Sequence, residues 1–266
     1  NIDLALDAIG RFKMDKLREA VISLINDQTP DNTLKLALKG LEISPKASQE
    51  VFMRIVQNKK LSFEVRAAAL NSLSKASPRE GELALLKWIP DLQATEKTEL
   101  VSILSGSSQS AAVLINVYGQ KGLDLSAFNL SSAERIVNTH RSDQRSQVII
   151  EGVKKREEEK KKAFEGDLSR YMAIAKKNGG NPAEGKTLFQ TCLLCHQVGS
   201  KGQNIAPALD GSASREYEAL LTAILNPDAA VESSYAVYRV RKKDGQSVEG
   251  YLVNKDARGT TLAFMG

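Results

Sequence analysis

A short pattern, Ala-Leu-x-x-aliphatic, recurs near the start of the chain, and its spacing constrains the fold more than any other feature. It appears as Ala5-Leu6-Asp7-Ala8-Ile9, Ala37-Leu38-Lys39-Gly40-Leu41 and Ala69-Leu70-Asn71-Ser72-Leu73, each 32 residues from the last. Between these copies lie further apolar stripes at helical spacing: Leu17, Ala20, Val21, Leu24 and Ile25; Val51, Phe52, Ile55 and Val56; Leu83, Leu86 and Ile89. Apolar residues at i, i+3, i+4 and i+7 occupy one face of a helix. Asp31-Asn32, Ser44-Pro45 and Ser77-Pro78 supply caps and turns between the helices. A fixed period of helix pairs is the pattern of an α-solenoid, in which each unit buries its apolar face only against its neighbours. The competing arrangement is a non-repetitive helical bundle.

After Val101 the register fades, although residues 95–104, 110–117 and 131–137 still read as helices. Trp88 is expected in the core of its repeat. His140 sits in a polar stretch and reads as a surface or capping residue rather than a ligand. The run at residues 154–162 alternates blocks of Lys, Arg and Glu, and Glu before Lys at i,i+4 supports an exposed helix. That helix extends towards Leu168, Tyr171, Met172 and Ile174 and stops at Asn178-Gly179-Gly180-Asn181-Pro182.

Both cysteines of the chain fall in one five-residue string, Cys192-Leu193-Leu194-Cys195-His196. Cys-x-x-Cys-His is the attachment pattern for a c-type haem. Two thiols three positions apart each add to a haem vinyl group, and the adjoining imidazole becomes an axial ligand of the iron. A redox dithiol of the thioredoxin kind follows a strand in a βαβ unit. Here residues 182–190 read instead as a short helix leading into the string. A structural zinc site needs about four ligands, and no second Cys pair or nearby His exists. The reading is therefore one covalently bound haem c on Cys192 and Cys195, with His196 as the metal ligand.

Composition narrows the partners. The net charge is +5, but basic and acidic residues are interspersed and no basic-aromatic patch accompanies them, so no nucleic-acid partner is expected. No apolar run approaches the roughly 20 residues of a transmembrane helix. No acid–base constellation stands out, so no catalytic residue is assigned. The chain opens at Asn1 without a leader, which reads as the start of a fragment or a mature product.

Phe63-Glu64-Val65-Arg66-Ala67-Ala68-Ala69-Leu70 resembles the second helix of HEAT-type repeats. From Asn181 onward the chain resembles a cytochrome c. Gly185-Lys186-Thr187-Leu188-Phe189 is similar to the first helix of monohaem cytochromes, and Ala206-Pro207-Ala208-Leu209-Asp210-Gly211 to their Gly-Pro-x-Leu-x-Gly loop, with Ala206 in place of the first glycine. The resemblance implies that Phe189 lies against the haem, that the Pro207 carbonyl accepts a hydrogen bond from His196, and that Leu209 packs on the porphyrin. A helix over 216–225, then strands at 235–241, 248–253 and 260–264 with a turn at 243–246, is similar to the haem domain of large multidomain proteins of Planctomycetes, Verrucomicrobia and Bacteroidetes. There a small β insert interrupts the cytochrome, HEAT-like repeats often precede it, and a sugar-dehydrogenase-like propeller frequently lies further upstream.

These readings give a mainly α chain: HEAT-like repeats over 1–150, a charged helical linker over 151–180, and a c-type cytochrome domain over 181–266 whose antiparallel β insert spans about 233–266. In the resembled family a distal methionine and a closing helix follow the insert, so the domain is expected to be incomplete at its C-terminus. Met265 is the one methionine after His196, and the sixth ligand is expected from a methionine beyond Gly266. The function implied is one-electron transfer, outside the cytoplasm of a bacterium, serving a redox partner or fused dehydrogenase. The alternatives are a haem with an open sixth site, of ligand-binding or peroxidase-like type, and a scaffold in which the repeats are the functional surface.

Overall fold

The computed structural model of the chain describes residues 2–177, 179–227, 235, 237–241, 247–256 and 259–264. The chain divides into two compact units between Glu157 and Glu158. The architecture is mainly helical, with small antiparallel sheets confined to the second unit.

The first unit contains α1 (Ile2–Arg11), α2 (Arg18–Ser23), α3 (Asp31–Leu41), α4 (Gln49–Gln57), α5 (Phe63–Ala76), α6 (Pro78–Trp88), α7 (Ala94–Leu104), α8 (Ser108–Val117), α9 (Leu130–Thr139) and the start of α10 (Gln144–Lys177). Local chemistry sets several of the helix starts. The Ser62 and Ser107 side chains accept the backbone N–H groups of Val65 and Ser110, and Asn129 and Ser132 cap one another reciprocally at α9. Pro78 takes the first turn of α6, where its missing N–H costs nothing.

The Ala-Leu copies fall on α1, α3 and α5, and these three helices pack in succession, α1 on α3 and α3 on α5. Leu6, Leu38 and Leu70 are all buried. Ala37 and Ala69 are buried, whereas Ala5 on α1 is exposed.

Polar cross-links reproduce the period independently. Asp3 accepts from Thr33, Asp15 from Ser44, Asp27 from Asn58 and Glu42 from Ser72, at 2.5–2.7 Å. Lys59 pairs with Asp91, Arg135 donates to Ser105, Arg145 to Asn116, and Arg156 to the Phe128 carbonyl. All of these contacts join residues 28 to 32 positions apart. All but one link a helix pair to the next, the nearest-neighbour logic of stacked units; the exception is Arg156, which reaches from α10 to the segment just before α9. The ladder continues to Arg156, well past Val101, where the apolar register had faded.

One residue of an expected face lies elsewhere. On α6 the expected stripe is Leu83, Leu86 and Ile89; Ile89 is buried and Leu86 packs half-buried against the core, but Leu83 is 55% exposed, and the helix buries Gly81, Ala84, Leu85 and Trp88. The cause is the approach of α5. A Cβ on Gly81 would sit 2.5 Å from the Ser74 hydroxyl, so the helices close at a residue that hydrophobic patterning does not count. Leu85→Ala is expected to cost about 2–5 kcal/mol and Leu83→Ala less than about 0.5 kcal/mol in urea unfolding. The reverse order would restore the stripe read from the sequence.

Helix α10 begins at Gln144 and buries Ile149, Ile150 and Val153 in the first unit. Beyond that point it is charged and laced by Lys162–Glu158, Lys161–Glu165 and Arg170–Asp167 pairs. His140 caps the C-terminus of α9.

The second unit adds α11 (Pro182–Phe189), β1 (Gln197–Val198), β2 (Lys201–Gly202), α12 (Tyr217–Leu225), β3 (Val237–Arg241), β4 (Ser247–Asp256) and β5 (Gly259–Ala263). Strands β3, β4 and β5 form an antiparallel sheet in that order, with a bulge at Val253. The turn expected at 243–246, the start of the β insert at 233–234 and Met265 lie outside the described residues. Among the described residues of this unit only Gly250 is buried, and Leu188, Leu194 and Ile224 expose 75%, 62% and 72% of their surface.

Candidate haem-attachment site

The site grows out of the end of α11. Asn181 caps that helix by accepting from the Ala183 and Glu184 N–H groups, and Pro182 occupies its first turn. Three residues past Phe189 the chain tightens into a 3-10 turn, Cys192–Leu194. The Cys192 carbonyl accepts from both Cys195 (3.2 Å) and His196 (2.9 Å). One turn therefore presents two thiols and an imidazole together. Both cysteines are free thiols; Cys192 is exposed and Cys195 half-buried.

The chain then folds back over this turn. Strands β1 and β2 form a two-residue ladder, and Gln203 donates to the carbonyls of Leu193 (3.1 Å) and His196 (3.2 Å). Gly202 adopts φ +90°, and a Cβ there would run into the His196 carbonyl, so only glycine fits. The Cys195 carbonyl accepts from Ile205 (3.1 Å) and Ala206 (2.8 Å). Ala206 is absent from the positive-φ residues, which is why alanine serves where the resembled loop has glycine.

These bonds deliver the Pro207 carbonyl to 2.7 Å from His196 Nδ1. A carbonyl only accepts, so Nδ1 must carry the proton and the lone pair of the neutral ring resides on Nε2. A hydrogen bond from the other ring nitrogen to a carbonyl fixes both the orientation and the tautomer of a metal-ligating histidine.

Leu209 is half-buried, and its N–H donates to the Gln197 carbonyl at 2.9 Å. Cys192, Cys195, His196, Pro207 and Leu209 are thus joined by one hydrogen-bonded loop. Phe189 ends α11, is 37% exposed, and makes no ring contact among the described residues.

Two participants escaped the sequence reading. Gly202 permits the close turn, and the Asp210 carboxylate accepts the Gly199 N–H at 3.0 Å, tying the Pro207 loop to the turn after β1. Asp210 stands beside Gly211 at φ +78°, an ordinary turn pairing, and a backbone donor eleven positions away leaves no trace in composition. Asp210→Ala is expected to lower the unfolding free energy of the loop by about 1 kcal/mol, with Asp210→Asn closer to the parent, read by guanidinium titration of the haem absorbance. Equal stability in all three proteins would remove Asp210 from the site.

The donor set fits a covalently attached haem: two reduced thiols, and an imidazole with its free lone pair held in place. Leu188, Phe189 and Leu194 surround the thiols in sequence with exposed apolar surface. Residues 182–263 match the cytochrome c family. This segment is a c-type cytochrome domain. No curated protein and no solved structure matches the chain. A cytochrome c domain implies covalently bound haem c and a redox-partner role. Among the described residues no helix is long and apolar enough to cross a membrane.

Proposed function

We propose that the chain is a monohaem electron-transfer module. The carrying observation is the 2.7 Å contact between His196 Nδ1 and the Pro207 carbonyl, which orients Nε2 as a ligand. Cys192 and Cys195 hold the macrocycle, His196 is the axial base, and Leu209 and Phe189 supply apolar packing. One thiol pair in the whole chain supports one haem. Bound haem supplies a one-electron iron couple. The protein's own part is to fix the ligand, limit solvent around it and present the site to a partner.

The first unit is read as HEAT-like repeats that dock the electron donor, a reading supported by its ladder of contacts about one repeat apart. A dehydrogenase, fused or separate and acting on a sugar, is the donor that the resembled arrangement suggests. Covalent haem attachment supports a location outside the cytoplasm, in a periplasm or beyond.

A potentiometric titration of the haem-loaded full chain tests the proposal. A single reversible transition with about 59 mV per tenfold change in the redox ratio is expected, the slope of a one-electron couple. A dithiol–disulfide pair at Cys192 and Cys195 would instead give about 30 mV and no change in visible absorbance, and that result would overturn it.

A further inference from the structure

A second feature lies far from the thiols in sequence, where the end of α4 meets α5 and α6. The Arg66 guanidinium lies 4.2 Å from the centroid of the Trp88 ring, and Trp88 also packs on Phe63 at 5.6 Å. Arg66 Nε donates to the Val56 carbonyl at 2.8 Å, covering an otherwise orphaned carbonyl at the end of α4. Among the described residues neither terminal amino group of Arg66 has a hydrogen-bond acceptor. Burial pushes this guanidinium below its ordinary pKa, against the opposing pull of Asp91 and Glu96.

These groups border a cleft of about 190 Å³ lined by Lys59, Arg66, Lys87, Trp88 and Asp91 among others. Asp91 is already engaged by Lys59 at 3.2 Å, whereas Lys87 has no ion-pair partner among the described residues. Three cations against one carboxylate leave the lining positive. A planar guanidinium with both amino groups free is a fork matched to a carboxylate.

The geometry points to this cleft as a binding site for a carboxylate side chain of an acidic polypeptide partner. The volume suits one acidic side chain and is too small for a nucleotide-sized ligand. Trp88 is 5% exposed and its ring is covered by Arg66, so it offers no stacking platform for a base. A dianionic phosphate would meet Asp91, while a monoanionic carboxylate completes the Arg66 fork with less repulsion.

Trp88 is the chain's one tryptophan, so its indole N–H gives a single, assigned amide-region signal in an isotope-labelled full chain. Titration with acetyl-tetraglutamate amide is expected to shift that signal saturably, with a dissociation constant of about a millimolar that weakens with salt. Lys87→Glu, at an exposed position, and Arg66→Lys, which keeps charge but loses the fork, should each weaken binding by about tenfold or more. Three results would overturn the proposal: tetraglutamine amide shifting the signal as far, inorganic phosphate saturating at lower concentration, or Lys87→Glu binding unchanged.

Discussion

Serine at both Cys192 and Cys195 is expected to abolish covalent haem entirely in a host competent for c-type maturation. Each thioether forms when a thiol S–H adds across one vinyl group, and these are the only two thiols in the chain. Cys192 is exposed and Cys195 half-buried on the same turn, so neither thiol is closed off from a haem. Each single Cys→Ser variant should keep one thioether. The retained vinyl group stays conjugated with the macrocycle and moves the visible bands to longer wavelength. Denaturing gels stained for haem and intact-mass measurement read all three variants. Covalent haem surviving in the double variant would place the attachment elsewhere.

The second large effect belongs to the helical unit. Leu70 is fully buried on α5, and α5 packs against α3, α4, α6, α7 and α8, more helices than any other in this unit. Leu70→Ala removes side-chain contacts at the point where successive helix pairs meet. A cost of about 3 kcal/mol is expected in urea unfolding followed by circular dichroism, from lost transfer energy plus the residual cavity. A stack held by nearest-neighbour contacts transmits such a loss to the pairs on either side, so the transition should also broaden. A cost below about 1 kcal/mol would mean that α5 is not the centre of this core.

What the sequence showed was periodic or chemically unusual, and what it hid was close backbone geometry. The 32-residue recurrence identified α1, α3 and α5 because leucines on a helical face repeat visibly. The exposure of Leu83 on α6 was hidden because the determinant is Gly81 against Ser74, a contact made by the lack of a side chain. The contact between His196 and Pro207 was legible from residue type and order, and the geometry brings the two together. Gly202 and Asp210 were not, since each acts on a backbone group: the carbonyl of His196 and the N–H of Gly199. The β1–β2 ladder is two residues per strand, too short to show alternation. The Arg66–Trp88 stack was half seen: Trp88 was expected in the core, but nothing in the spacing set an arginine over it.

The central claim is that the turn at 192–196 carries the haem. Intact-mass analysis of the matured full chain, followed by tryptic mapping, tests it most directly. The account predicts a gain of one haem, retained under denaturing conditions and located on the peptide of residues 187–201, with Soret absorbance following that peptide. An unmodified polypeptide mass from a host that matures other c-type cytochromes would contradict it.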